Sequence, residues 1–408
     1  MSSRKPHVLI VGAGLGGLAL AQGLRKHGVS YAIFERDESL HSRQQGWAIG
    51  LHTVLGELQP GLPDDLPPIE PAVNHLKPLK LPPQFIWHVS GNRLGVTGGP
   101  DTFVLRANRM RLREWLATKI PITYGKQALK VEENDDSVTV HFQDGTVASG
   151  DILVGADGIN SRVREHLLSR PNEHTLRTNA FAVIVGETTL TGDAFERQIS
   201  LGHSAYVGIA GDRARSIFVG LNKVSEDGKV GSYYWFYMIS DETIDKPDHW
   251  TRHASRAERL EKALQDSKAL DEKFREIIKL TPVEGIRSDS FSFRDAEIGK
   301  DEYAVRRVTM LGDASHPMAP FRGEGGVHAL RDALSLAKTV AKIGNDERKT
   351  ILNAVGDYQR EMVKRGVEAV QRSRAVARKE RREDEPFIIW GYPAKPTMEE
   401  TIKLEDWQ

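Results

Sequence analysis

The 408-residue chain has no cysteine. That excludes a disulfide framework, a thiolate zinc site, an iron–sulfur cluster and a cysteine nucleophile, and no residue is assigned to a metal. Neither sign of charge is in excess, since 56 Lys and Arg balance 56 Asp and Glu. The chain as a whole therefore lacks the basic footprint that nucleic acid or an anionic membrane requires. No apolar run approaches the ~20 residues of a transmembrane helix. The opening MSSRKPH runs straight into a strand, without the apolar stretch of a signal peptide. Internal repeats and long low-complexity segments are missing as well. These absences predict a soluble, intracellular, cytoplasmic protein with no membrane span and no nucleic-acid partner.

What is present is ordinary globular composition, 39% hydrophobic and 27% charged, in a chain long enough for two or three fused lobes. Its organising stretch is His7–Arg36, HVLIVGAGLGGLALAQGLRKHGVSYAIFER. Val8–Val11 is a short apolar run that reads as a buried strand. Gly12, Gly14 and Gly17 follow as G-x-G-x-x-G. The first allows a tight turn, the second lets a pyrophosphate approach the backbone, and the third lets a helix lie close on the strand. Leu18, Leu20, Ala21 and Leu24 give that helix an apolar face, and it ends near Gly28. A second strand, Tyr31–Phe34, ends in Glu35, placed to accept hydrogen bonds from ribose hydroxyls. The helix N-terminus offers free N–H groups and a positive dipole end to phosphate. The stretch predicts an ADP-binding unit but does not distinguish NAD from FAD.

Further along, six prolines between Pro60 and Pro78 resist regular structure and suggest a crossing between lobes. Thr102–Leu105 reads as a strand leading into a helix over Arg106–Ile120, and Val147–Val154 as a single strand. From about 171 to 290 the texture becomes that of an antiparallel sheet, with strands at Ala180–Leu190, Gln198–Leu201, Ala205–Ala210, Arg215–Asn222 and Ser232–Ile239. Phe291–Phe293 reads as a return to strand. Gly326–Ile343 is a helix, broken at Asn345-Asp346, and Arg348 to about Glu383 is a long charged helix with a short apolar tail, PFIIWGYP. The expected architecture is α/β. A discontinuous Rossmann-like FAD-binding domain (1–72, 103–170, 290–345) carries an inserted antiparallel substrate domain (73–102, 171–289), followed by a C-terminal helix and tail (346–408).

Three later motifs bear on the cofactor. In 152–164, ILVGADGINSRVR, a strand runs into Asp157-Gly158, a turn in itself, and Ser161 caps a helix. In 308–337 the strand Val308–Leu311 ends in Gly312-Asp313, where such sheets bind ligands. Pro317, Pro320, Gly323, Gly325 and Gly326 then form a rigid loop feeding a helix N-terminus, which favours negative charge. Arg109 opens a helix from which it can reach phosphate or a ring system.

In this order, these motifs resemble the class A single-component FAD-dependent monooxygenases, the family of p-hydroxybenzoate hydroxylase, salicylate hydroxylase and the tetracycline-inactivating monooxygenases. Gly12, Gly14 and Gly17 with Glu35 match the first fingerprint, Asp157-Gly158 the DG motif, and Gly312-Asp313 through Pro320 and Gly325 the GD motif. Arg109 with Leu112-Arg113 matches the arginine-plus-helix pattern, and Arg43 with Gly46 the flavin-side loop. Val327 stands where the family commonly has asparagine. With Arg36 and Gly326 these residues form the expected FAD-binding set.

The resemblance implies that NADPH or NADH reduces FAD as a transient co-substrate, binding near Asp157. Dioxygen then adds to give a flavin C4a-hydroperoxide, which hydroxylates a small aromatic or polycyclic substrate. Pro320 should lie beside the flavin ring. Along Ser232–Ile239, side chains alternate between two faces, and Tyr233, Trp235 and Tyr237 are expected to line the substrate pocket, with Tyr234, Phe236 and Met238 on the opposite face. Epoxidase, Baeyer–Villiger and oxidase chemistry are alternatives on the same scaffold, and a non-catalytic dinucleotide-binding regulator is one from another class. A monomer or homodimer is expected.

Overall fold

The computed structural model describes residues 5–43, 45–89, 91–302, 304–343, 347–377 and 388–408. Its architecture follows from the first strand, His7–Val11. Successive side chains of a strand point to opposite faces, and Val8 to Val11 are all buried, so both faces need cover. His7–Val11 is the middle strand of a five-stranded parallel sheet ordered 308–310, 152–155, 7–11, 30–34, 122–123. Val8 and Ile10 pack under helices Leu15–Lys26 and Gly325–Val340. Leu9 and Val11 pack against a three-stranded antiparallel sheet (128–133, 138–142, 147–150) and helix Arg162–Leu168. Glycines bring the first helix close to its neighbours. A Cβ on Gly16 would lie 2.6 Å from Leu311 Cδ1, and one on Gly23 2.7 Å from Ala337 Cβ.

The stretch expected as one strand over 147–154 is two. Val147–Gly150 pairs with Val138–Phe142 in the antiparallel sheet, and Ile152–Gly155 enters the parallel sheet. Helix Arg109–Ala117 starts three residues later than expected, because Asn108 caps it by accepting from the Met110 and Arg111 N–H groups, each at 3.1 Å. Arg106–Asn108 is instead a short strand paired with Ala48–Gly50.

The second domain is a seven-stranded sheet ordered 181–191, 230–240, 215–224, 205–209, 84–89, 92–97, 395–396. Every neighbouring pair is antiparallel except 205–209 with 84–89, which is parallel. Helices Gly192–Ser200, Arg256–Asp266 and Glu272–Lys279 cover one face through Phe195, Ile199, Ala263, Phe274, Ile277 and Ile278. The strand expected at Gln198–Leu201 is part of the first of these helices. Phe195 and Ile199 are four residues apart, so one helical face buries both. Phe291 only bridges to Val183, and the paired strand there is Arg294–Asp295.

Helix Glu347–Ala377 packs across the parallel-sheet domain. The break expected at Asn345-Asp346 and the helix's expected run to Glu383 lie outside the described residues. The tail does not form a separate unit. Lys395–Pro396 adds the last strand to the large sheet, Ile402 N–H donates to Ser200 Oγ at 2.9 Å, and Leu404 N–H donates to Glu196 at 3.0 Å. Among the described residues no helix is long and apolar enough to cross a membrane.

Candidate active site

The glycine loop is shaped by contacts that allow no side chain at two positions and leave the third free. Gly12 has φ +108°, and a Cβ there would lie 2.3 Å from the Ala156 carbonyl oxygen; one on Gly17 would lie 2.0 Å from the Gly12 carbonyl oxygen. Around Gly14 nothing stands within 4 Å of the missing Cβ. That open space lies at the N-terminus of helix Leu15–Lys26, where backbone N–H groups have no intrahelical partner. The Glu35 carboxylate closes the loop from below, accepting from Ala13 N–H at 2.8 Å and Asp37 N–H at 3.1 Å.

Helix Arg109–Ala117 brings Arg113 to this loop and Arg109 to Gly46. Arg113, 1% exposed, donates to the Ala13 carbonyl at 3.0 Å and the Leu40 carbonyl at 2.6 Å. Its Nη2 stands 3.7 Å from Glu35 Oε2 and has no hydrogen-bond partner. Arg109 lies against Gly46, whose Cβ would come within 3.3 Å of the arginine Cδ. Burial holds its guanidinium below the ordinary arginine value, and nearby Asp313 pulls the other way. An open space under a helix N-terminus, in a loop backed by a buried arginine, suits an anionic group. The donor set and the room at Gly14 therefore fit the pyrophosphate of FAD.

The other expected cofactor residues separate into groups. Arg36 is exposed beside Glu35. Arg43 is engaged on Asp37, at 2.9 and 3.0 Å from its two oxygens. Asp157 sits on the turn that packs on Gly12, but its Oδ2 caps helix Arg162–Leu168 through the Arg162 N–H at 2.8 Å, and its Oδ1 is buried without a partner. Val327 is 1% exposed in the core under the parallel sheet, so its side chain faces away from any ligand. Gly326 is glycine because a Cβ would strike Ile49 Cδ1 at 1.9 Å.

The loop from Gly312 to Gly325 is held from behind. Gly312, at φ +57°, donates its N–H to Asp332 Oδ2 at 2.8 Å. The same oxygen meets His316 Nε2 at 2.7 Å, and Arg365 of the long helix donates to Asp332 Oδ1 at 2.7 Å. Ser373 donates to the Ala319 carbonyl at 2.7 Å, just before the exposed Pro320 opens a single turn, Pro320–Arg322. The side chain of Asp313 is exposed, and a Cβ on Gly325 would lie 3.9 Å from its Oδ1. Asp313→Ala is expected to lower FAD retention through gel filtration while leaving the unfolding midpoint of the apoprotein unchanged. Full retention would remove Asp313 from the site.

The large sheet presents its other face to this loop, and Tyr233, Trp235 and Tyr237, expected to line the substrate pocket, are not on that face. Tyr233, Trp235 and Tyr237 belong to the core beneath the three covering helices. Trp235 donates to Thr281 Oγ1 at 2.9 Å. Tyr234, Phe236 and Met238 form the opposite layer with Trp47, Phe293 and Ala319. Trp47 stacks on Tyr234 with centroids 4.6 Å apart and planes 7° apart, and Phe293 meets Phe321 edge-on at 5.5 Å. The two alternating sets are both large and apolar, three aromatics on one and two with a methionine on the other, and only the placement of the helices decides which one is core. Arg106, Trp47, Asp332 and Arg365 also take part here without any local motif to mark them.

Residues 10–46 match the NAD(P)-binding Rossmann-like domain, and residues 108–373 match the FAD binding domain. Together with the glycine loop and the Gly312-Asp313 loop, they define a flavoprotein. The FAD-dependent monooxygenase thnD of Trichoderma harzianum is 46% identical over 374 residues, which cover 90% of this chain and 92% of that protein. The chain belongs to the FAD-dependent monooxygenase family, and the reading as a non-catalytic regulator falls. PhnB of Penicillium herquei, also an FAD-dependent monooxygenase, is 29% identical over 378 residues, 91% of this chain and 90% of that one. Among solved structures, 2,6-dihydroxypyridine-3-hydroxylase of Arthrobacter nicotinovorans shares the fold, with a TM-score of 0.70 at 17% identity over 93% of each chain. Klebsiella pneumoniae HpxO, solved with FAD and uric acid, gives 0.70 at 20% identity, covering 93% of this chain and 89% of that one.

Proposed function

We propose that the protein hydroxylates a small aromatic or polycyclic molecule, with NADPH or NADH and dioxygen as co-substrates. The observation that carries this reading is the aromatic layer of Trp47, Tyr234, Phe236, Phe291, Phe293 and Phe321, which meets the flavin loop at Ala319. Bound FAD, reduced by the pyridine nucleotide, supplies the dioxygen activation that puts one oxygen atom on the substrate and releases the other as water. The chain's own residues bind and orient. Offset and edge-to-face aromatic contacts hold a flat ring, and the apolar layer keeps water from the reacting centre. Gly14, Arg109 and Arg113 hold the pyrophosphate side, and Glu35 is placed for the ribose. The chain has no second G-x-G-x-x-G unit, which supports transient docking of the pyridine nucleotide against the first domain and its flavin.

The test is a panel of phenolic and polycyclic aromatic compounds given to the FAD-loaded enzyme. The expected result is NADPH or NADH oxidation stimulated by some members, with a product heavier by one oxygen atom. Nucleotide oxidation that yields only hydrogen peroxide across the panel would overturn hydroxylation.

A further inference from the structure

We infer that the strand Arg106–Asn108 is a joint that couples the position of the large sheet to the binding of FAD, with Asn108 as its positioning residue. This rests on the reading above in which the helix that begins at Arg109 holds the pyrophosphate side of the cofactor.

The three residues of the strand are all buried, and they divide by the alternation of a strand. Ala107 belongs to the core under the parallel sheet. Arg106 and Asn108 both reach the large sheet. The Arg106 guanidinium donates to the Ser204 carbonyl and to the Tyr234 hydroxyl oxygen. The Asn108 Nδ2 donates to Asn222, at 3.1 Å to its backbone carbonyl and at 2.9 Å to its side-chain Oδ1. The three partners stand just before strand 205–209, on strand 230–240 and on strand 215–224, which are neighbours in the sheet. The short strand thus grips three strands of the large sheet while its own backbone pairs with Ala48–Gly50.

Asn222 is available because the sheet is irregular there. Leu221 pairs with Tyr233 and Lys223 with Ser232, which leaves Asn222 as the extra residue of a β-bulge. A bulged residue drops out of the ladder, and its side chain is re-aimed. Its carbonyl and its side chain both meet Asn108.

Asn108 serves both sides with one planar amide. Its oxygen accepts from the Met110 and Arg111 N–H groups and caps the helix, while its nitrogen holds Asn222. The amide is rigid, so turning it to follow the sheet withdraws the oxygen from the helix. The next residue is Arg109, whose N–H donates to the Trp47 carbonyl at 2.8 Å. One turn further, Arg113 donates to the Ala13 carbonyl of the glycine loop at 3.0 Å. A displacement of the sheet is therefore carried through the cap into the helix that bears both arginines. Coupling between two sites is reciprocal, so FAD that fixes the helix must also steady the sheet. Asn108 and Asn222 stand in the wall of an open cleft of about 970 Å3, together with Gly46, Trp47 and Tyr233. A molecule entering that cleft meets the joint directly.

The test follows amide hydrogen exchange by mass spectrometry in the apoprotein and in the FAD-saturated enzyme. In the parent, FAD should slow exchange over 215–224 by about threefold or more, the worth of one ordinary hydrogen bond. Two variants cut the joint. Asn108→Ser keeps a capping oxygen but is too short to reach Asn222. Asn108→Asp keeps the shape and the cap but sets an oxygen against the oxygens of Asn222, and it decides should Asn108→Ser fail to fold. Both should still take up FAD, with a lower affinity, and both should lose its effect on 215–224. Thr281→Val removes the Trp235 partner on the other face and should keep the effect. A merely structural role for Asn108 would speed exchange in apoprotein and holoenzyme alike and leave the FAD-dependent protection in place. No slowing in the parent, or slowing of parental size in the joint variants, overturns the joint and leaves the pyrophosphate reading standing. Parental FAD affinity in Arg113→Gln would remove the helix from the pyrophosphate, and the joint with it.

Discussion

Asp332→Ala is expected to destabilise the protein by about 3–5 kcal/mol, the usual cost of removing one partner from a buried ion pair. Asp332 is fully buried and holds three donors at once: His316 at 2.7 Å, Arg365 at 2.7 Å and the Gly312 N–H at 2.8 Å. Burial alone would push its carboxyl up, but His316 and Arg365 hold it down at about 2. Burial would likewise discharge His316, but Asp332 overrides that and raises it above its ordinary value. His328, 6.0 Å from it ring to ring, is pushed down to about 3 by burial and by the two neighbouring cations. The alanine variant leaves the buried His316 without its counter-charge, takes from the half-buried Arg365 one of its two carboxylate partners, the other being Glu361, and frees the Gly312 N–H at the turn that carries Asp313.

The pH dependence follows from the signs of these shifts. His316 holds its proton more tightly when folded, so its contribution is complete below the unfolded value of about 6.5 and is lost as pH rises through the raised folded value. Asp332 holds its proton less tightly when folded, so its contribution is complete above about 3.9 and is lost as pH falls towards about 2. The stability gap between parent and variant should therefore be widest between about pH 4 and 6.5. Urea midpoints measured from about pH 4 to 9 test it, with the gap expected to narrow above about 6.5. A gap that stays flat from pH 4 to 9 would contradict the charged pair, and Asp332→Asn, which keeps acceptors for Gly312, should lose less.

Gly14→Val is the second large effect, and it should fall on binding alone. Gly14 is extended, at φ −75° and ψ −177°, a conformation open to any residue, and its Cβ would project into empty space. The valine should thus fold normally while filling the room under the helix N-terminus. Losing two charge-assisted hydrogen bonds to phosphate costs roughly 3 kcal/mol or more, about a hundredfold in FAD affinity. Quenching of FAD fluorescence on titration into the apoprotein measures this, and parental affinity would remove Gly14 from the cofactor's path. Gly12 supplies the contrast. With φ +108° and a Cβ position 2.3 Å from Ala156 oxygen, its replacement should damage the fold itself.

The cofactor side of the molecule was legible in the sequence because it is carried by short, contiguous motifs. G-x-G-x-x-G, Glu35, Gly312-Asp313 and the Pro320–Gly326 loop each encode a backbone shape, and backbone shape is local. The substrate side was not legible in the same way. The alternation along Ser232–Ile239 announces two faces but does not label them, since Tyr, Trp and Tyr on one match Tyr, Phe and Met on the other. The helix at Gly192–Ser200 was read in part as strand, because its last residues, Gln198–Ser200, are too few to separate the two periods.

The sequence by itself determined the parallel sheet and its glycine turn, and it set the expectation that a dinucleotide lies near residue 14 with a second loop near residue 313 facing it. Only the tertiary structure decided that Tyr233, Trp235 and Tyr237 are core, and that Arg106, Trp47 and Tyr234 meet on the opposite face. It also decided that Asp332 joins Gly312 to the long C-terminal helix. The physical reason is range. A turn or a helix cap is fixed by residues a few positions apart, whereas the buried charges and donors of this site acquire their partners from segments 128 residues apart in the case of Arg106 and Tyr234, and no local pattern records who those partners will be.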